Sequence, residues 1–127
     1  MATTTAFPHL QNHTYMNLTT YRKSGVAVTT PVWFAQEGDK LYVFTAGESG
    51  KVKRIRNNGT VEVAPCNASG KPLGASQSAI ARLLSPEEGK RADAIVTRKY
   101  GWQKRIFGLL GMIRRTQPFY IEIRERV

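Results

Sequence analysis

Residues Val26 to Ile55 read VAVTTPVWFAQEGDKLYVFTAGESGKVKRI, and this order of residue types admits few folds. Val26 to Ala35 is rich in Val, Thr, Trp and Phe, side chains that suit a pleated, half-buried surface, so it predicts a strand. Glu37-Gly38-Asp39 carries turn chemistry. Leu41 to Thr45 then alternates Leu41, Val43 and Thr45 against Tyr42 and Phe44, a second strand. Ala46 to Gly50 is a loop of small residues, and Lys51, Lys53, Arg54 and Arg56 follow at once in a short helix. A Gly/Ser loop feeding a helix that starts with lysines is a place to hold a phosphate. Amide N–H groups at a helix N-terminus point at an anion, and ammonium groups neutralise it. From charge alone, the same four cations are also what a solvated basic face looks like.

The rest of the chain repeats the short-strand theme. Met1 to Thr14 is polar and reads as an arm, with room for a short helix around Phe7 to His13; residues 15–127 read as one domain. Tyr15 to Tyr21 predicts a strand that pairs with Val26 to Ala35 through the turn Arg22-Lys23-Ser24-Gly25. Asn57-Asn58-Gly59 supplies residues able to take the left-handed conformation that ends a helix. Thr60 to Pro65 is a further strand, with Val61 and Val63 on one face, and Asn67 to Gly74 is rich in turn residues. Ala75 to Leu84 alternates imperfectly and reads as a strand or a helix. Ser85-Pro86-Glu87-Glu88 is a helix start, with Ser at the N-cap, Pro at the first position and Glu88 placed for a capping box. That helix is expected to reach about Tyr100, be interrupted by Gly101, and give way to a second over Trp102 to Ile113. Pro118 to Arg124 is a last strand with Phe119, Ile121 and Ile123 facing one way. The pattern predicts a mainly β protein, a small barrel with short helices, two of them late in the chain.

A chain of 127 residues suits one domain, and 41% hydrophobic residues give it a core. Nineteen Lys and Arg against nine Asp and Glu leave a net charge of +10, which draws in anionic partners without choosing among nucleic acid, acidic membrane and phosphate-bearing cofactor. Cys66 is the single cysteine, so it forms no intrachain disulfide and fits a reducing compartment. The first fifteen residues lack a basic stretch followed by an apolar one, and a cytoplasmic location is expected. No apolar run approaches the roughly 20 residues that span a bilayer.

Three strings in order, TTYRKSG-VAVTTPVWF, LYVFTAGESGKVKRIRNNGTVEVAPCNASGKPLG and KYGWQKRIFGLLG, resemble the pyridoxamine-5′-phosphate-oxidase-like split-barrel proteins. More narrowly they are similar to the branch described as PPOX-class, probable F420-dependent enzymes. The resemblance runs from about Asn17 to Ile123 and rests on T-P-V-W-F, S-G-K-V-K-R and A-P-C-x-x-x-G-x-P-x-G in this order. It implies an antiparallel split β-barrel, homodimeric, that binds F420 or a flavin such as FMN between subunits and moves a hydride to or from a small-molecule substrate. It implies that Thr29, Thr30, Pro31, Val32 and Trp33 lie along the ring system. The lysines of S-G-K-x-K, Lys51 before Lys53, with Ser49 and Gly50, would hold the phosphate or acidic tail; Lys53, on the other side of a helical turn, need not reach the same oxygens. Thr45 would line the cofactor site, and Trp102 and Gln103 would reach it. F420 is the first choice, because an acidic tail suits a +10 chain.

Each of these residues also has a plainer reading. Thr29 and Thr30 are good strand formers, Trp33 is a good core residue, and Pro31 fits a sheet edge because it has no N–H. His9 and His13 stand at helical i, i+4 spacing but have no acidic neighbour, so no metal site is expected. Cys66 has no motif linking it to a base and reads as a small buried thiol. Arg105, Arg114 and Arg115 flank the apolar run Ile106 to Ile113, which suits a membrane-surface helix or a stripe covered by the barrel or a second subunit. The catalytic acid or base is not identifiable. A cofactor enzyme needs none of its own triads, because the cofactor carries the chemistry. A non-catalytic carrier would use the same residues, and a nucleic-acid-binding barrel is disfavoured by the lack of an aromatic and basic platform.

Overall fold

The structure, a computed structural model, describes residues 6–11, 13–46, 50–106 and 118–126. Seven strands form one antiparallel sheet: β1 Tyr15–Tyr21, β2 Ala27–Trp33, β3 Ala35–Glu37, β4 Lys40–Ala46, β5 Thr60–Cys66, β6 Gln77–Leu83 and β7 Pro118–Glu125, in the order β2-β1-β5-β6-β7-β4-β3. Helix α1, Gly50–Asn57, follows β4, and α2, Pro86–Ile106, follows β6. The two edge strands of this sheet, β2 and β3, are separated in the chain by Phe34 alone. Neighbouring Cα atoms are about 3.8 Å apart, so the two edges must meet, and the sheet curls into a barrel left split along one side. The antiparallel split barrel expected from the sequence is the fold.

The predicted strand Val26 to Ala35 therefore divides at Phe34. Alternation continues through the division: Trp33 and Ala35 pack in the outer apolar cluster, and Phe34 in the inner one. Only the pairing partner changes, from β1 to β4. Lys99 on α2 holds this point, its Nζ donating to the carbonyls of Phe34 at 2.7 Å and His13 at 2.9 Å, 3.9 Å from the Phe34 ring centroid. Burial of that ammonium pushes its pKa down to about 8.

The inner face carries Met16, Leu18, Leu41, Val43, Val61, Val63, Ile121 and Ile123, all buried. Each comes from a period-2 run. On the outer face Tyr42 and Tyr120 pack under Ala92, Ile95 and Val96 of α2. The start of α2 is fixed by its capping box: Glu88 N–H donates to Ser85 Oγ at 3.2 Å, and Ser85 N–H to Glu88 Oε1 at 3.0 Å. Arg82 on β6 bonds Glu88 and Glu122, at 2.8 Å and 3.0 Å, tying the helix to the sheet.

Ala75 to Leu84 resolves as strand β6, not helix. Helix α2 runs through Gly101 to Ile106 without the expected interruption. A lone helical glycine costs only about 1 kcal/mol relative to alanine, and the next proline, Pro118, stands well beyond it. Residues 107–113 of the expected second helix lie outside the described residues. Neither Asn58 nor Gly59 takes a left-handed conformation after α1. Gly59 is needed for close approach instead: a Cβ there would stand 2.7 Å from the Ala81 carbonyl oxygen.

Both barrel ends are filled. At one, the segment expected to be a polar arm carries Ala6, Phe7 and Leu10 into the core, with a single turn of 3-10 helix at Pro8–Leu10. His13 lies beyond that turn, so the two histidines do not share a helix face. At the other end α1 lies across the barrel with Val52 and Ile55 buried beneath it.

Candidate functional site

Helix α1 closes the barrel end at which β1 finishes and β2 begins. Its buried residues, Val52 and Ile55, define the inward face. Lys51 and Arg54, three residues apart, are neighbours on one flank of it. Lys53 is exposed, one step round the helix from Val52, and does not share that flank. The helical spacing that sets Lys53 apart from Lys51 in the sequence thus carries over into the fold.

The first turn, Gly50 to Lys53, holds no acid. The Arg54 guanidinium folds back over it: a Cβ on Gly50 would stand 2.7 Å from Arg54 Nη1. Arg54 Nε donates to Thr20 Oγ1 at 2.6 Å. Lys51 is half-buried, and burial, then the nearby Arg54 charge, lowers its pKa. Among the described residues no carboxylate pairs with Lys51 or Arg54. Two cations are thus gathered at the positive end of a helix dipole, an arrangement that is repulsive by itself and that an anion would relieve.

Beneath this turn the barrel wall is polar. Thr20 continues the inward face of Met16 and Leu18 and is buried; Thr45 continues that of Leu41 and Val43 and is buried as well. Thr30 shares the inward face of β2 with Val32, which packs against the inner core. These strands flank the split. β3 pairs with β4 only over Lys40 to Tyr42, and the remainder of β4 lies beside β2 without a strand ladder between them among the described residues. Trp33 and Phe44 meet across this seam with ring centroids 6.1 Å apart.

Of the residues singled out from sequence, Thr30, Val32, Thr45, Gly50 and Lys51 are gathered on the inner side of the seam and the adjacent barrel end. Thr29, Pro31 and Trp33 face outward. The Thr29 hydroxyl is bonded to Thr19 Oγ1 at 2.7 Å, and Pro31 lies against the turn containing Gly70. One planar ring cannot lie on both faces of a strand, so a ring along β2 would meet the outward set or the strand edge. Ser49 lies outside the described residues, and so do the side chains of Trp102 and Gln103, whose backbone belongs to α2. Thr20 and the folded-back position of Arg54 were not found from sequence. Thr20 is 34 positions from Arg54, and no local pattern joins them. Cys66 is buried, and burial pushes its thiol pKa up, away from a reactive thiolate.

These features fit a phosphate group: Lys51, Arg54 and the amides of the first turn of α1 would hold the anion. The sequence model of pyridoxamine 5′-phosphate oxidase matches residues 3–116. The chain belongs to that family. No curated protein matches it. Among solved structures, this pyridoxamine 5′-phosphate oxidase family member is similar to Atu2129, a protein of unknown function from Agrobacterium tumefaciens, with TM-score 0.71 and 16% identity over 91% of this chain and 49% of that one. It spans about half the length of that protein. It is similar to HutZ, the heme storage protein from Vibrio cholerae, with TM-score 0.66 and 11% identity over 94% of this chain and 87% of that one. It is similar to an FAD-binding protein from Mesorhizobium loti, with TM-score 0.65 and 14% identity over 100% of this chain and 91% of that one. At such identities the likeness shows the fold. No helix among the described residues is long and apolar enough to cross a membrane.

Proposed function

We propose that this chain binds F420 or FMN at the α1 end of the barrel seam and serves as an oxidoreductase, passing a hydride to or from a small organic substrate. The observation that carries the reading is the acid-free first turn of α1, with Lys51 half-buried and Arg54 folded over Gly50. A phosphate is the group that converts this repulsion into attraction. Membership of the pyridoxamine 5′-phosphate oxidase family supports a flavin-type ligand, and the net charge of +10 supports the more acidic F420 as first choice. The protein's own share of the work is to bind and orient the ring and keep water from it. We place the site between two subunits of a homodimer, a reading supported by a similar solved structure described as a domain-swapped dimer.

A carrier that binds the same cofactor without turnover is the second reading. It is supported by the likeness to a heme storage protein. Titrating the purified protein with FMN and with F420, followed by absorbance and fluorescence, tests both readings. Saturable micromolar binding of one of them is expected, and binding of neither refutes the site. Turnover of the reduced cofactor with a panel of electron acceptors then separates enzyme from carrier. Sedimentation of the loaded protein is expected to show a dimer.

A further inference from the structure

We infer that Thr20 is a positioning residue for the anion site, and that Arg54 rather than Lys53 is its second cation. The inference rests on the proposed phosphate site and adds to it a residue from a different strand. Long side chains on a helix lean back over the preceding turn, but a guanidinium with nothing to hold it swings out into water. Here it turns back toward the N-terminus of its own helix, where the dipole and Lys51 both repel it. Among the described residues, the hydrogen bond that holds it there is Nε–H to Thr20 Oγ1, 2.6 Å long, on a threonine 1% exposed to solvent.

That bond uses Nε and leaves the two terminal nitrogens directed along the first turn of α1, the paired donors that suit phosphate oxygens. The lateral position of the fork is thus set by β1, a strand outside the helix that carries the arginine. Gly50 is part of the same device. Its backbone is not left-handed, so the glycine is not required by conformation. A methyl group there would instead meet the guanidinium, the mobile end of the Arg54 side chain, and would push the fork aside rather than strain the backbone. The plainer reading is that Thr20 and Arg54 only anchor α1 to the barrel, and the two readings differ in what each substitution does to phosphate recognition.

The experiment titrates wild type, Thr20→Val, Thr20→Ser, Gly50→Ala and Arg54→Met with FMN, with F420 and with the phosphate-free riboside of each. Arg54→Met should weaken binding of the phosphorylated form roughly ten- to a hundredfold, the range of a charge-assisted hydrogen bond, and leave the riboside unchanged. Thr20→Val should produce about a tenfold loss of the same selective kind, and Thr20→Ser should restore it. Gly50→Ala should also lose selectivity while the melting temperature holds or rises, since alanine is the better helix former. Thr20→Val that lowers melting temperature but keeps the wild-type preference for phosphate overturns the inference and leaves the site standing. A wild type that binds both forms of each cofactor equally, or neither, overturns the site and the inference together.

Discussion

Lys51→Met tests the centre of the proposed site, because it removes the ammonium and keeps the stem that packs on the helix flank. In the empty protein that ammonium is disfavoured twice, by burial and by Arg54. The substitution should therefore leave the melting temperature unchanged or slightly raised. With cofactor bound the balance reverses. A desolvated charge-assisted hydrogen bond contributes about 1.5–3 kcal/mol, so at 1.4 kcal/mol per tenfold the dissociation constant should rise roughly ten- to a hundredfold. The control is Lys53→Met, exposed and off the flank; its effect should stay within about threefold and vanish as salt shortens the screening length below about 8 Å. The linkage has a definite sign. The anion binds the protonated amine, whose pKa in the empty protein lies below the ordinary lysine value. Affinity should therefore start to fall at a lower pH than an ordinary lysine would give, and Lys51→Met should flatten that fall. Fluorescence titration across pH and salt reads all of this. Equal losses for Lys51→Met and Lys53→Met at physiological salt would refute a specific phosphate contact and leave only a diffuse basic surface.

Gly59→Ala would drive a methyl group against the Ala81 carbonyl, 2.7 Å from the new Cβ. It would disturb the bond from Ala81 N–H to Gly59 O as well, so denaturant titration should show a loss of about 1–3 kcal/mol. Glu88 has its pKa lowered to about 2, first by Arg82 and then by the Ser85 amide. The unfolded chain binds more protons between about 2 and 4.5, so this contribution is present above the unfolded value and is lost as pH falls through that window. Glu88→Gln should therefore flatten the acid limb of a stability-versus-pH curve while changing cofactor affinity little. Cys66→Ser should keep cofactor affinity within about threefold, less than 0.7 kcal/mol, because the thiol is buried and held protonated; a larger loss with the fold intact would make Cys66 part of the site.

Much of this protein follows from local physics that a sequence displays. Leu41 and Val43, Val61 and Val63, and Ile121 and Ile123 all turn inward because successive residues of a strand face opposite ways, and apolar residues at every second place can be buried together. Ser85 and Glu88 form their reciprocal bonds because the three-residue spacing alone brings them into reach. The start of α1 with its cations was visible for the same reason. What the tertiary structure decided is which distant groups meet. Phe34 changes strand partner because β1 and β4 stand on either side of it, although its own alternation continues unbroken. Gly59 serves close packing on β6 rather than a left-handed cap, a demand made by a residue 22 positions away. Helical spacing by itself parts Lys51 from Lys53 and sets Arg54 beside Lys51; that this flank meets Thr20 was decided only when Val52 and Ile55 took the barrel as their burial place and so set the rotation of the helix. Periodicity names the face a residue shares; the partner that face will meet depends on contacts closed across the whole chain, as Thr20 on β1 meets Arg54 on α1, 34 positions away.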